Sequence, residues 1–114
     1  MTDLNRVRLV ALVGPISGER QMVHTMGYPI DPAKLLPLPD VLLLESNEGS
    51  GVMLHRYTAQ GELAGDTWHE TIADAKRQAI FEYRDAVGRW FEVPDDITDA
   101  HAYAVQCAAS QRQA

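Results

Sequence analysis

The sequence predicts an α+β fold, an antiparallel sheet of three to five strands with two helices packed mainly on one face. Short runs of aliphatic and β-branched residues, separated by glycine, proline and asparagine, indicate the strands. A longer segment after Thr71 repeats its apolar residues about every 3.6 positions, which is typical of a helix lying on a sheet. Because 114 residues fit one folded unit, we expect a single domain over 1–114.

The N-terminal third of the chain predicts one clear strand and one ambiguous segment. The run RVRLVALV (6–13) ends at a cluster of turn-forming residues, as strands commonly do. Residues 20–26 fit either a helix face or strand alternation, and the strand interpretation, which we favour, would make 6–26 a hairpin. Residues 27–40 hold four of the six prolines and predict an extended connector.

The middle of the chain predicts a hairpin followed by a third strand. The runs VLLLES (41–46) and VMLHRYT (52–58) are joined by the turn-forming residues NEGSG, and LAGDTW (63–68) follows a second turn. Within the second of these strands, His55 and Tyr57 are two residues apart and therefore point to the same face.

The first helix carries the strongest pattern in the sequence. Thr71 and Asp74 resemble a capping box at its start, and Gly88 predicts its end. Lys76 falls inside the apolar arc, where a lysine usually extends past the core edge to water, and Phe81 falls on the polar side. The residues expected to face the sheet are Ile72, Ala75, Ala79, Ile80, Tyr83 and Val87.

A second helix is predicted from a cap at Asp96 or Thr98 to about Gln111, after a short extended link. His101 and Cys107 share its apolar side and are interpreted as core residues, because buried cysteine is common and unreactive. The same side carries a ridge of small side chains at every fourth position, which would allow the sheet or a second subunit to approach closely: Ala100, Ala104 and Ala108.

Composition excludes several classes of protein. Ten Lys and Arg against sixteen Asp and Glu give a net charge of −6, which argues against a nucleic-acid partner. No apolar run approaches the ~20 residues that cross a bilayer, so no membrane association is expected. A single cysteine, Cys107, cannot form an internal disulfide, and a reducing cytoplasm is the expected location.

The stretch GELAGDTWHET (61–71), which brings acidic, aromatic and histidine residues close together, has three possible interpretations. A metal motif of the form HExxH would need histidine at position 73, which is Ala73, and the four histidines lie on four different predicted elements. A catalytic His69 held by Asp66 or Glu70 has no accompanying nucleophile or oxyanion motif. A strand end followed by a helix cap accounts for every residue, so the sequence predicts no catalytic residue, metal site or cofactor.

The segment GDTWHETIADAKRQAIFEY resembles stretches of small uncharacterised bacterial proteins, in which G-D-T-W-H precedes an amphipathic helix. The resemblance covers residues 51–93 only. It implies a bacterial source and adds nothing about mechanism.

These observations favour a non-catalytic protein–protein interaction or regulatory module of the immunity-protein type, binding a protein partner or itself as a homodimer. Its contacts would be Phe81, Trp90, Ala100 and Ala104. The alternative is a small-ligand-binding protein or minor enzyme with a pocket between sheet and helix. That pocket would be lined by polar, basic and aromatic side chains: His55, Tyr57, Asp66, Trp68, His69 and Lys76.

Overall fold

The structure, a computed structural model, describes residues 7–14, 37–46 and 50–113; for residues 112 and 113 it describes the backbone only. The predicted hairpin through 20–26 and most of the connector 27–40 lie outside these residues. The elements in chain order are strands β1 (Arg8–Leu12), β2 (Val41–Ser46), β3 (Val52–Tyr57) and β4 (Leu63–His69), helix α1 (Ile72–Tyr83), strand β5 (Phe91–Glu92) and helix α2 (Ala100–Gln113).

The five strands form one antiparallel sheet in the order β4-β3-β2-β1-β5, which confirms the predicted α+β class. The link between the helices was predicted to be merely extended, but two of its residues form β5, which pairs with Leu9 and Val10 of β1. Among the described residues, no helix is both long and apolar enough to cross a membrane.

The two helices lie on opposite faces of the sheet, so the prediction that they pack mainly on one face is wrong. Alternate residues of a strand point to opposite faces, and Leu42, Leu43 and Leu44 of the central strand β2 are all fully buried. On one side Leu42 and Leu44 pack with Ala75, Ala79 and Tyr83 of α1. On the other, Leu43 packs with the alanine ridge of α2: Ala100, Ala104 and Ala108.

Helix α1 begins as predicted and ends earlier. The Thr71 hydroxyl accepts the backbone N–H of Asp74, as an N-cap should. The helix stops at Tyr83 and a 3₁₀ turn follows, with Arg84 at a φ of 54°. The predicted extension to Gly88 fails because this segment bonds to the end of β1 instead: the Gly88 N–H donates to the carbonyl of Leu12.

A buried ion pair joins α1 to the sheet. The guanidinium of Arg56 on β3 contacts the carboxylate of Glu82 at 2.7 Å, and both side chains are at most 4% exposed. Arg56 also donates to the carbonyl of Leu54 and to the hydroxyl of Thr67, and Gln78 donates to Glu82. The hydrogen bonds offset the cost of removing two charges from water.

Helix α2 is capped by Asp99, whose carboxylate accepts the N–H of Ala102, and not by the predicted Asp96 or Thr98. The segment before it is attached to β1 by Arg8. This buried guanidinium donates to the carbonyl of Ile97 at 2.6 Å and to that of Pro94 at 3.0 Å.

Candidate metal centre

Three potential metal ligands converge between the sheet and α2. Glu45 is near the end of β2, His55 is in the middle of β3, and His101 is in the first turn of α2. Glu45 is two residues beyond Leu43, so both side chains point to the α2 side. His55 is paired with Leu43 in the strand register and therefore shares that side.

One oxygen of Glu45 lies between the two imidazoles. Its Oε1 atom is 3.1 Å from Nε2 of His55 and 2.9 Å from Nε2 of His101. The imidazole rings meet edge to face with centroids 4.6 Å apart. The donor atoms of the three residues all lie within 4.8 Å of one another, close enough to bind one ion.

The other nitrogen of each histidine faces a further polar group. The Tyr57 hydroxyl lies 2.5 Å from Nδ1 of His101, and a carboxylate oxygen of Asp66 lies 3.8 Å from Nδ1 of His55. Metal-binding histidines usually have such a partner on the second nitrogen, because it fixes the ring and the position of its proton.

The two imidazoles of the cluster can place their protons to suit either a form without an ion or a metal-bound form. For Oε1 of an ionised Glu45 to accept both contacts, each Nε2 must carry a proton, and Nδ1 of a neutral His101 can then accept the Tyr57 hydroxyl. A metal at Nε2 requires the proton of each neutral ring to move to Nδ1. The Tyr57 oxygen and the Asp66 carboxylate would then accept hydrogen bonds from the two Nδ1–H groups. The cluster therefore already holds the acceptors that a metal-bound form needs.

The electrostatics of the cluster keep the carboxylate ionised. The hydrogen bond from His55 lowers the pKa of Glu45 below its ordinary value; burial opposes this shift, and the contact with His101 adds to it. Burial raises the pKa of Tyr57, with smaller contributions from the charges of Asp66 and Glu45. At neutral pH, Glu45 is therefore a carboxylate anion and Tyr57 a neutral phenol.

The cluster is partly open to solvent. The side chain of His55 is 12% exposed, that of Glu45 26% and that of His101 39%. Of the three side chains, that of His101 is therefore the most accessible from solvent.

The residues predicted to line a pocket divide between the two faces. His55, Tyr57 and Asp66 come together as described. Trp68 lies on the same side of the sheet but covers Gly51, and its indole N–H donates to the carbonyl of Ser50.

The other two predicted pocket residues lie on the α1 side. The imidazole of His69 contacts the Thr67 hydroxyl at 2.7 Å, and burial, followed by the charge of Arg56, lowers its pKa. Lys76 places its amine 5.8 Å from the ring centre of Trp90.

The predicted interface residues have different positions. Ala100 and Ala104 are buried against the sheet, where they cannot meet a second subunit. Trp90 is half-buried beside the α1 core. Phe81, on the outer side of α1, is exposed.

Sequence reasoning missed Glu45 and His101 as members of a site. His101 was interpreted as a packing residue because it lies on the apolar side of its helix. The available signal was Glu45 itself: in VLLLES it occupies the α2-facing register of a buried strand, where a charge needs a partner. Nothing local in the sequence identifies His101 as that partner.

The chain matches no known protein-family model, no curated protein sequence and no solved structure.

Proposed function

We propose that this protein binds a divalent transition-metal ion, of the zinc class, through Glu45, His55 and His101. The observation that carries the proposal is the convergence of one ligand atom from each of these three residues, on two strands and a helix, within 4.8 Å. Imidazole and carboxylate are the ligands that zinc takes in many catalytic centres. This proposal replaces the sequence-based expectation of no metal site.

The spacing of the donor atoms supports the proposal. Tetrahedral zinc with bonds of ~2.0–2.1 Å holds neighbouring donor atoms about 3.4 Å apart. The two contacts of Glu45 measure 2.9 and 3.1 Å, and all three donor atoms lie within 4.8 Å of one another, so shifts of at most about 1.5 Å would bring them to this spacing. Tyr57 and Asp66 would hold the two rings in orientation.

Calorimetric titration of the metal-stripped protein with Zn²⁺ near neutral pH is the direct test. We expect one ion per chain. Each of His55→Ala, His101→Ala and Glu45→Gln should weaken binding by more than the ~10–100-fold that follows loss of a residue supporting a ligand.

The matched control is His69→Ala, which removes a histidine from the opposite face of the same sheet. This variant should bind Zn²⁺ with wild-type affinity and stoichiometry. Absence of binding, or equal binding by all four variants, would contradict the proposal and leave the cluster as a hydrogen-bonded contact between α2 and the sheet.

A second proposal keeps the expectation of an interaction module, with a second copy of the chain as partner. It is favoured by two adjacent apolar side chains on α1, Ile80 and Phe81, which are 49% and 62% exposed. Light scattering after size exclusion should then give a dimer mass, and Phe81→Asp should give a monomer with unchanged circular dichroism. A monomeric wild-type protein would exclude it.

A further inference from the structure

We infer that a metal held by Glu45, His55 and His101 keeps one coordination position open to solvent, where a small anion can replace water. The inference rests on the metal-binding function proposed above. Its basis is the direction in which each nearby polar group points.

Two nearby groups could in principle act as a fourth ligand, and both are engaged elsewhere. The Tyr57 hydroxyl contacts Nδ1 of His101, and Asp66 faces Nδ1 of His55. The two nitrogens of an imidazole point away from each other, so a group at Nδ1 lies on the far side of the ring from an ion at Nε2. Among the described residues, the cluster contains no fourth histidine, cysteine or carboxylate.

Among the three ligands, solvent exposure is greatest at His101. His101 is the most exposed of the three ligands, at 39% of its side chain, whereas His55 is nearly covered. Three protein ligands with an exchangeable water are typical of zinc sites that bind substrates, while structural sites have four protein ligands.

The charge of the centre favours an anion. A divalent ion with one carboxylate and two neutral imidazoles carries a net charge of +1, and Arg8 adds a buried positive charge opposite Glu45 in the strand register. Two negative charges lie nearby: Asp66, whose side chain is 48% exposed, and the exposed Asp99, whose charge also acts on Tyr57. Solvent screening weakens their repulsion, so a small monoanion with a nitrogen or oxygen donor can still bind.

The test uses the Co²⁺-loaded protein and azide as the probe. Visible absorption of Co²⁺ reports its coordination, so azide should produce a saturable spectral change in the wild type. Asp66→Asn should also respond, with azide affinity about twofold higher because a nearby negative charge is removed.

Two results would overturn the inference, and they are distinguishable. If Co²⁺ binds but azide leaves the spectrum unchanged, the centre is closed and only metal binding stands. If azide changes the spectrum of Asp66→Asn but not that of the wild type, the wild-type centre is likewise closed, and Asp66 is its fourth ligand. If Co²⁺ does not bind to the protein at all, the proposed function fails as well.

Discussion

The Nε2 atom of His101 lies 2.9 Å from Oε1 of Glu45, although 56 residues separate them in the chain. This contact joins α2 to β2 at a point where the rest of the helix offers the sheet mainly alanine side chains. Small side chains bury little apolar area, so polar contacts at the first turn carry a larger share of the attachment of α2.

Zinc should stabilise the folded protein. A ligand that binds only the native state raises the free energy of unfolding, by ~2.7 kcal/mol at a concentration 100 times its dissociation constant. Urea unfolding of the wild type should therefore shift to higher urea with Zn²⁺ than with a chelator. His101→Ala should unfold at the same urea concentration in both conditions. An unshifted wild type would contradict metal binding.

Stability should fall at acid pH in a way that depends on Glu45. Its pKa is lower in the folded protein than the ordinary value of 4.5, so the unfolded state binds more protons as the solution is acidified. The stabilising contribution is complete above this ordinary value and is lost as pH falls through the lower folded pKa.

The measurement is the free energy of unfolding of wild type and Glu45→Gln at about pH 6 and about pH 3. The wild type should lose more stability between the two pH values than the variant does. Glu92→Gln, which changes an exposed carboxylate, should behave like the wild type. Equal losses in the wild type and Glu45→Gln would mean that the cluster does not stabilise the carboxylate anion.

Removing Arg56 should strongly destabilise the protein. Arg56→Met leaves the buried carboxylate of Glu82 without its cation, which typically costs about 3–5 kcal/mol. The double variant Arg56→Met with Glu82→Leu should recover part of this loss, because no uncompensated charge remains.

Arg77→Ala is the control for the Arg56 variant. Arg77 pairs with Asp74 on the exposed surface of α1, and its loss should cost less than about 1 kcal/mol in denaturant unfolding. If Arg56→Met is as mild as Arg77→Ala, the buried pair does not hold α1 as the structure indicates.

Gly51 should not tolerate a side chain. Its φ is 74°, and an added Cβ would lie 2.5 Å from the indole of Trp68. Gly51→Ala should lower stability by about 1–3 kcal/mol through crowding, in addition to backbone strain. On a Trp68→Ala background the crowding disappears, so the same substitution should cost less.

Gly61→Ala separates strain from crowding. Gly61 has a φ of 88°, but an added Cβ would meet nothing closer than Val105 at 3.8 Å. Gly61→Ala should therefore lower the stability measured by thermal unfolding less than Gly51→Ala does. Equal costs at the two positions would show that Trp68 does not cover Gly51 in solution.

The sequence predicted most of the fold because most elements have local causes. Short apolar runs bounded by turn-forming residues predicted strands 41–46 and 63–68 to within a residue, and Thr71 predicted the start of α1. The end of α1 could not be predicted, because residues 84–88 leave the helix to bond with β1, more than 70 residues earlier in the chain. Such long-range backbone pairing leaves no mark on local periodicity.

The sequence also carries a signal for the placement of the helices. Three consecutive buried leucines in VLLLES fit a strand covered on both faces better than one with a single apolar face. Of the candidate centre, His55, Tyr57 and Asp66 were predicted to line one pocket, because they lie in the strand-rich centre of the chain and His55 and Tyr57 share a strand face. His101 was not included, since its position depends on how α2 packs against the sheet.

The contacts of Arg8 predict which positions should vary together among homologous chains. Its guanidinium holds the carbonyls of Pro94 and Ile97, and His101 follows a few residues later. A lysine at position 8 has one amine to replace two planar donors, and would leave the approach to α2 less firmly anchored. In homologous chains, replacement of this arginine is therefore expected to covary with changes in 94–101.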